Sequence, residues 1–390
     1  PMQFDATDAD GNTWAAYQCY GDPDWKLHHE GASAPAAAPA ERFGSVSSPL
    51  GLALALETLA VESRFVRGGD DADRERHRQT QRQRLAYLDG RFATLWGGMG
   101  AVAEAFAVAW SELGDMAPAI AWYERALAAN DASATQKAAE QLANLQVRLA
   151  TARVLAADEA HRRAAPAQRA QHLRVLDQAR TAARKTIRAA LTSIERLLAL
   201  HRTMERESLA GSAYKRLAMI EGDAGRETAA LAAIQRMKRH CEAAEKIARD
   251  GASPEVYYPA LNRLAAELAA DAARPGWPGL EATALAAVRL SLADKTRDDP
   301  DFWSVVGLTD LRLYEGVAAR ALAPLAASLQ AEYAELHRRV SAPRDWRSVH
   351  DTARFVLDRY ARRAAGGAEK KACADIVALL EGFAWPAGAT

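Results

Sequence analysis

The chain holds 390 residues, with 50 basic and 50 acidic side chains, three cysteines and 49% hydrophobic residues. A formal net charge of zero argues against a dedicated nucleic-acid binder, whose phosphate contacts need a surplus of lysine and arginine. Cys19, Cys241 and Cys373 lie too far apart in sequence for a disulfide scaffold or a clustered-thiol metal site. No apolar run is long enough for a membrane span, so the expected setting is cytoplasmic.

Residues 1–28 differ from the rest. Asp5, Asp8, Asp10 and Gly11 suggest a calcium loop, but aligning Gly11 with the invariant glycine puts Ala6 at the first ligand position and Tyr17 where a bidentate Glu belongs. The stretch Asn12 to Tyr20 instead predicts a short β-strand with aromatic punctuation, closed by the turn Gly21-Asp22-Pro23-Asp24. A lone strand cannot satisfy its own edges, so it belongs against other structure. Residues 29–49, rich in Ala, Pro, Gly and Ser, predict an extended linker.

From residue 50 to 390 the pattern is helical. Helices are expected at 50–66, 73–96, 101–113, 116–129, 132–163, 167–204, 205–221, 226–249, 255–272, 279–293, 301–313, 315–338, 345–364 and 367–382. Leu173, Leu176, Ala179, Ala183, Ile187, Ala190, Ile194 and Leu197 carry the three-and-four spacing of one long amphipathic helix. Alanine makes up about a quarter of the chain, far above ordinary usage. Small side chains let helices approach closely, which suits a stack of helix pairs.

Residues 100–133 resemble a tetratricopeptide repeat (TPR), in which two short antiparallel helices present bulky and small residues at fixed positions. Trp110 takes the aromatic position of the first helix, Gly114-Asp115 the turn, and Ala119, Tyr123 and Ala126 the small–aromatic–small positions of the second. Looser copies fall around 204–240, with Gly211 and Tyr214, and around 300–331. The latter has Trp303, Val306 and Gly307 in its first helix, Gly316 as a displaced turn, and Ala319, Ala323 and Ala326 in its second. The predicted fold class is all-α: an irregular TPR-like α-solenoid of helix pairs, preceded by the short strand segment and the linker.

The run from Asn12 to Trp25, with its Tyr20-Gly21-Asp22-Pro23-Asp24-Trp25 close, resembles the last strand and turn of CHAT domains. These are caspase-like cysteine peptidase domains often joined to TPR arrays in bacteria. Leu209 to Ala218 is similar to the helical regions of such proteins. The resemblance implies that residues 1–28 are the remnant of a CHAT-like domain and that the rest is a regulatory or recruitment region. It also implies that the family's His/Cys dyad lies upstream, so no catalytic residue is carried over.

The remaining chemistry is sparse. His240 and Cys241 are adjacent, so on a helix they point about 100° apart, which suits a packed thiol beside a solvated histidine rather than a dyad. His28-His29 lack a second pair or a carboxylate at ligand spacing. Gly97-Gly98-Met99-Gly100 lacks the Lys-Ser/Thr of a phosphate loop. No metal and no cofactor are expected. Arginines from 162 to 188 form a basic stripe that reads first as a solvated helix face and second as a contact for an acidic partner or nucleic acid.

The expected function is a non-catalytic protein–protein interaction or regulatory module of a CHAT-type protease, with a protein or peptide partner in a concave groove. In TPR geometry the first helix of each pair lines that groove. That places Glu104, Val108, Lys215, Arg216, Leu308 and Arg312 among the candidate partner-binding residues, with Lys215, Arg216 and Arg312 suited to an acidic peptide. The alternatives are a stand-alone helical scaffold and a nucleic-acid sensor using the basic helices.

Overall fold

The structure is a computed structural model that describes residues 38–64, 71–340, 343–364 and 366–385. The strand expected at 12–20, and with it the CHAT-like segment, Cys19 and His28-His29, lies outside the described residues. Among the described residues every regular element is a helix, and none is long and apolar enough to cross a membrane. The chain divides into two units, Pro1–Ser45 and Val46–Thr390. The described part of the first holds one helical turn, α1 (Pro39–Arg42), so the expected linker is not extended throughout.

The second unit begins with α2 (Pro49–Arg64) and α3 (Asp71–Trp96). The helical hairpin α4 (Gly100–Glu112) and α5 (Met116–Ala128) follows. Gly114 makes its turn at φ +84°, a backbone region that costs any side chain. Trp110, Ala119, Tyr123 and Ala126 are all buried between the two helices, at the positions expected of them. Phe106 stacks on Trp122 with ring centroids 4.4 Å apart. From α3, Asp89 Oδ2 accepts from both indoles, Trp110 Nε1 at 3.3 Å and Trp122 Nε1 at 3.1 Å.

Next come α6 (Gln136–Arg163) and α7 (Arg169–Leu200), then α8 (Met204–Asp223) and α9 (Glu227–Asp250). The helix expected over 167–204 is a 3₁₀ turn at Pro166–Gln168 followed by α7, which stops at Leu200. The stop has a local cause. Thr203 is already extended and caps α8, its Oγ1 accepting from Arg206 N at 3.1 Å. Gly225, at φ +73°, closes the turn into α9. A Cβ on Gly211 of α8 would stand 3.0 Å from Cys241 Sγ of α9, so the small residue sets how closely this pair packs.

The C-terminal part contains α10 (Tyr257–Asp271), α11 (Ala282–Asp298), α12 (Phe302–Ala318), α13 (Ala326–Arg339), α14 (Pro343–Arg363) and α15 (Gly367–Ala384). Here α10 packs against α8, α9, α11, α12 and α14 together, so the linear succession of pairs gives way to a cluster around one alanine-rich helix. Ala260, Ala265, Ala266 and Ala269 are fully buried on it. Its C-terminal carbonyls are held from α14: Arg359 Nε donates to Ala269 O at 2.8 Å and Arg363 Nη1 to Ala270 O at 2.8 Å.

The looser repeat expected at 300–331 is out of phase with this structure. Instead of turning near residue 314, α12 runs on to Ala318, with Gly316 buried inside it. The break falls at Ala319 to Leu322, where Arg320 adopts φ +56°. Ala319 therefore caps α12, Ala323 begins a 3₁₀ turn and Ala326 begins α13. The turn is fixed by Glu369 of α15, whose carboxylate accepts from Leu322 N at 3.1 Å and Ala323 N at 2.9 Å.

Candidate partner-binding site

Helix α8 is buried on nearly every face, yet it carries Arg206, Glu207, Lys215, Arg216 and Glu221 inside the core. A buried charge is tolerated only where partners replace its water. Arg206 is fully served: Nε donates to Glu140 Oε1 (2.6 Å), Nη2 to Gln136 Oε1 (2.6 Å), and Nη1 to Leu197 O (3.0 Å) and His201 O (2.7 Å). Glu207 accepts from Arg202 Nε at 2.8 Å and meets His240 Nδ1 at 2.7 Å. His240 also stacks on Tyr214, with ring centroids 5.4 Å apart. It is therefore a bound member of this network and not the solvated neighbour expected beside Cys241.

Outside this network, α7 and α9 rise as walls on either side of α8. Leu191, Thr192 and Glu195 of α7, Tyr214, Leu217 and Glu221 of α8, and Ala229, Ala232, Ala233 and Arg236 of α9 line a groove of about 380 Å³. Glu195, Tyr214 and Arg236 also line an adjoining hollow of about 250 Å³ that adds Arg202, Arg239 and His240. The floor is apolar. The rim is basic, with Arg188, Arg202, Arg236 and Arg239 against Glu195 and Glu221. Arg236 Nη1 donates to Tyr214 OH at 3.0 Å, which orients one rim guanidinium over the floor. Arg188 on the rim belongs to the arginine run of residues 162–188. Part of the basic stripe read from residues 162–188 thus faces this groove.

The six residues expected to line one continuous concave face fall into three separate places. On α4, Glu104 is a fastener: its carboxylate accepts from Thr135 N (2.8 Å) and Thr135 Oγ1 (2.6 Å), tying the start of α6 to α4. Val108 is half-buried on the same helix. On α12, Leu308 packs against the core and Arg312 forms an ion pair with Glu332 of α13. Arg216 of α8 is buried against Asp351 of α14, Nη2 to Oδ2 3.6 Å. The cations chosen for an acidic peptide are therefore engaged within the chain.

Lys215 differs from the other charges of α8. It is 4% exposed, and Nζ donates to Thr352 Oγ1 at 2.8 Å. No described carboxylate comes within ion-pairing distance of it. Burial, reinforced by the Arg216 guanidinium, pushes its ammonium down to about 8. It faces a cavity of about 70 Å³ enclosed by α8, α9, α10, α12 and α14. Asp310 faces the same cavity, with burial pushing its carboxyl up to about 6 against the pull of the Tyr333 hydroxyl, which donates to Oδ1 at 2.6 Å. Asp310 was not singled out in the sequence. The signal lay in Val306, Gly307, Asp310 and Tyr314, spaced along one face of α12, and in Ser208, Ser212 and Lys215 along one face of α8.

Neither described thiol is placed as a nucleophile. Cys241 and Cys373 are buried, and burial pushes each up to about 12. Among the described residues no group of three or more His, Cys, Asp or Glu is placed to hold a metal ion. No family model matches the chain, and no curated protein matches it.

Proposed function

We propose that the helical body is a non-catalytic interaction module that receives an acidic peptide segment in the groove between α7 and α9. The observation that carries this reading is the groove's composition. An apolar floor from Leu191, Leu217, Ala232 and Ala233 is rimmed by Arg188, Arg236 and Arg239 against Glu195 and Glu221, with Arg202 held by Glu207 at one end. Apolar side chains of a peptide would dock on the floor while its carboxylates meet guanidiniums that form bidentate contacts. The α4–α5 hairpin, with Trp110, Ala119, Tyr123 and Ala126 buried in it, supports reading the array as TPR-like.

On the resemblance at residues 12–25 and 209–218, the module serves as the regulatory part of a CHAT-type cysteine peptidase. Partner binding would then bias the enzyme between closed and active states. A His/Cys dyad encoded upstream in the gene supports that assignment, and its absence removes it.

The groove reading is tested by fluorescence anisotropy with labelled amphipathic peptides rich in Glu and Leu. Arg188→Glu with Arg239→Glu, both exposed positions, is expected to weaken binding at least about tenfold, the scale of one lost charge-assisted contact. Unchanged affinity in that double variant overturns it.

A further inference from the structure

The Lys215 cavity lies apart from the groove, and its chemistry is of another kind. It presents one cation and one carboxyl at separate points of a wall otherwise made of apolar and hydroxyl-bearing side chains, the Cys241 thiol and Asn262, whose amide donates to Tyr258 O. Lys215 Nζ has three N–H donors, of which Thr352 takes one. Nearby, Ser208 Oγ is buried without a hydrogen-bond partner, although serine carries both a donor and acceptors. Asp310 Oδ1 is engaged by Tyr333, which leaves its second oxygen as an acceptor. Val306 and Leu261 supply apolar wall, and two exposed aromatics, Tyr258 and Trp303, also line the cavity and mark its open side.

We propose that this cavity binds a free amino acid as its zwitterion. The ligand carboxylate is held by Lys215 and Ser208, the ligand ammonium by Asp310, and the side chain points toward Tyr258 and Trp303. Three features favour this ligand class. The cavity's two charges are opposite, so a neutral ligand with separated charges matches it where a simple anion or cation would leave one group opposed. Lys215 has two N–H donors left and Ser208 one O–H, three in all, enough to give each carboxylate oxygen at least one hydrogen bond. The volume of about 70 Å³ corresponds to roughly five water-sized probes at about 10–15 Å³ each, which suits the few heavy atoms of an amino-acid backbone. Gly307, which also lines the cavity, lets α12 pack closely on its neighbours, because a Cβ there would stand 2.7 Å from Leu292 Cδ2 of α11 and 3.1 Å from Leu261 Cδ1 of α10. This proposal does not depend on the peptide groove.

Isothermal titration of the full chain with glycine, alanine, valine, leucine and phenylalanine tests it. Propionate and propylamine serve as probes that each carry one of the two charges. At least one amino acid is expected to bind saturably, with each single-charge probe weaker by about tenfold or more, the loss of one charge-assisted hydrogen bond. Lys215→Met and Asp310→Asn, with helicity checked by circular dichroism, are each expected to weaken the amino acid by a similar factor. The probe series on the unaltered chain stands even if a variant fails to fold. Absence of saturable binding by all five amino acids overturns the proposal. So does propionate or propylamine binding as tightly as the amino acid, or folded variants that bind like the parent.

Discussion

The α4–α5 hairpin and helix α8 are both buried, but different forces hold them. In the hairpin the buried side chains are alanines, Val102, Phe106, Tyr123 and two tryptophans, and the two indoles are served by one carboxylate, Asp89, that accepts from both. Its geometry rests on backbone: Gly114 at positive φ, and Gly97 tucked beneath Trp122. Five charged residues of α8 are buried, and their partners come from α6, α7, α9 and α14 and from the loops between. A helix of the first kind is specified locally. One of the second kind is specified by its neighbours, so a defect in any of them leaves a charge stranded.

That contrast predicts where the molecule breaks most easily. Arg206→Ala removes four hydrogen bonds and takes this donor from Glu140, Gln136 Oε1 and His201 O, while Leu197 O keeps His201 N. Losing one partner of a buried pair costs about 3–5 kcal/mol. The midpoint of urea unfolding should fall accordingly, and a change under about 1 kcal/mol would mean that α8 does not depend on its partners in this way. In the hairpin the sensitive point is Gly97→Ala. A Cβ there would sit 2.5 Å from Ala93 O and 2.8 Å from Trp122 Cη2. Overpacking of this kind costs about 1–3 kcal/mol, and the same unfolding curve reads it.

The contrast also explains which features were readable in the sequence. The hairpin was placed to within a residue or two because its signals are local: a glycine turn and aromatic and small residues at helical spacing. The end of α7 was missed because the signal, Thr203 as a cap, lies just beyond a run whose periodicity would otherwise continue. The α12–α13 turn was misplaced because Gly316 looks like a breaker. The residue that fixes the turn is Glu369, more than forty positions downstream. The candidate site was less visible still. Lys215 and Arg216 are neighbours in an amphipathic string, and nothing in that string says that one pairs with Asp351 while the other faces a cavity shared with Asp310.

The smallest expected effect is the most diagnostic of the two kinds of buried charge. Lys215, unlike Arg206, has no ion pair, so Lys215→Met should change stability at neutral pH by no more than about 1 kcal/mol, since apolar replacement of a poorly compensated buried charge is neutral or favourable. Its signature lies in alkaline solution. The folded-state pKa is depressed to about 8, below the ordinary value of 10.5. Between these values the unfolded chain binds more protons than the folded one, so this residue alone makes stability rise with pH across that window. The groups facing it are Arg216 on α8, Cys241 on α9, Asp310 on α12 and Asp351 on α14; of these Arg216 alone deepens the depression, and the other three oppose it. Urea midpoints of parent and Lys215→Met compared from pH 7.5 to 10.5 should therefore converge or cross as pH rises, the parent gaining relative to the variant. A constant difference across the window would show that Lys215 is compensated in the fold as fully as Arg206.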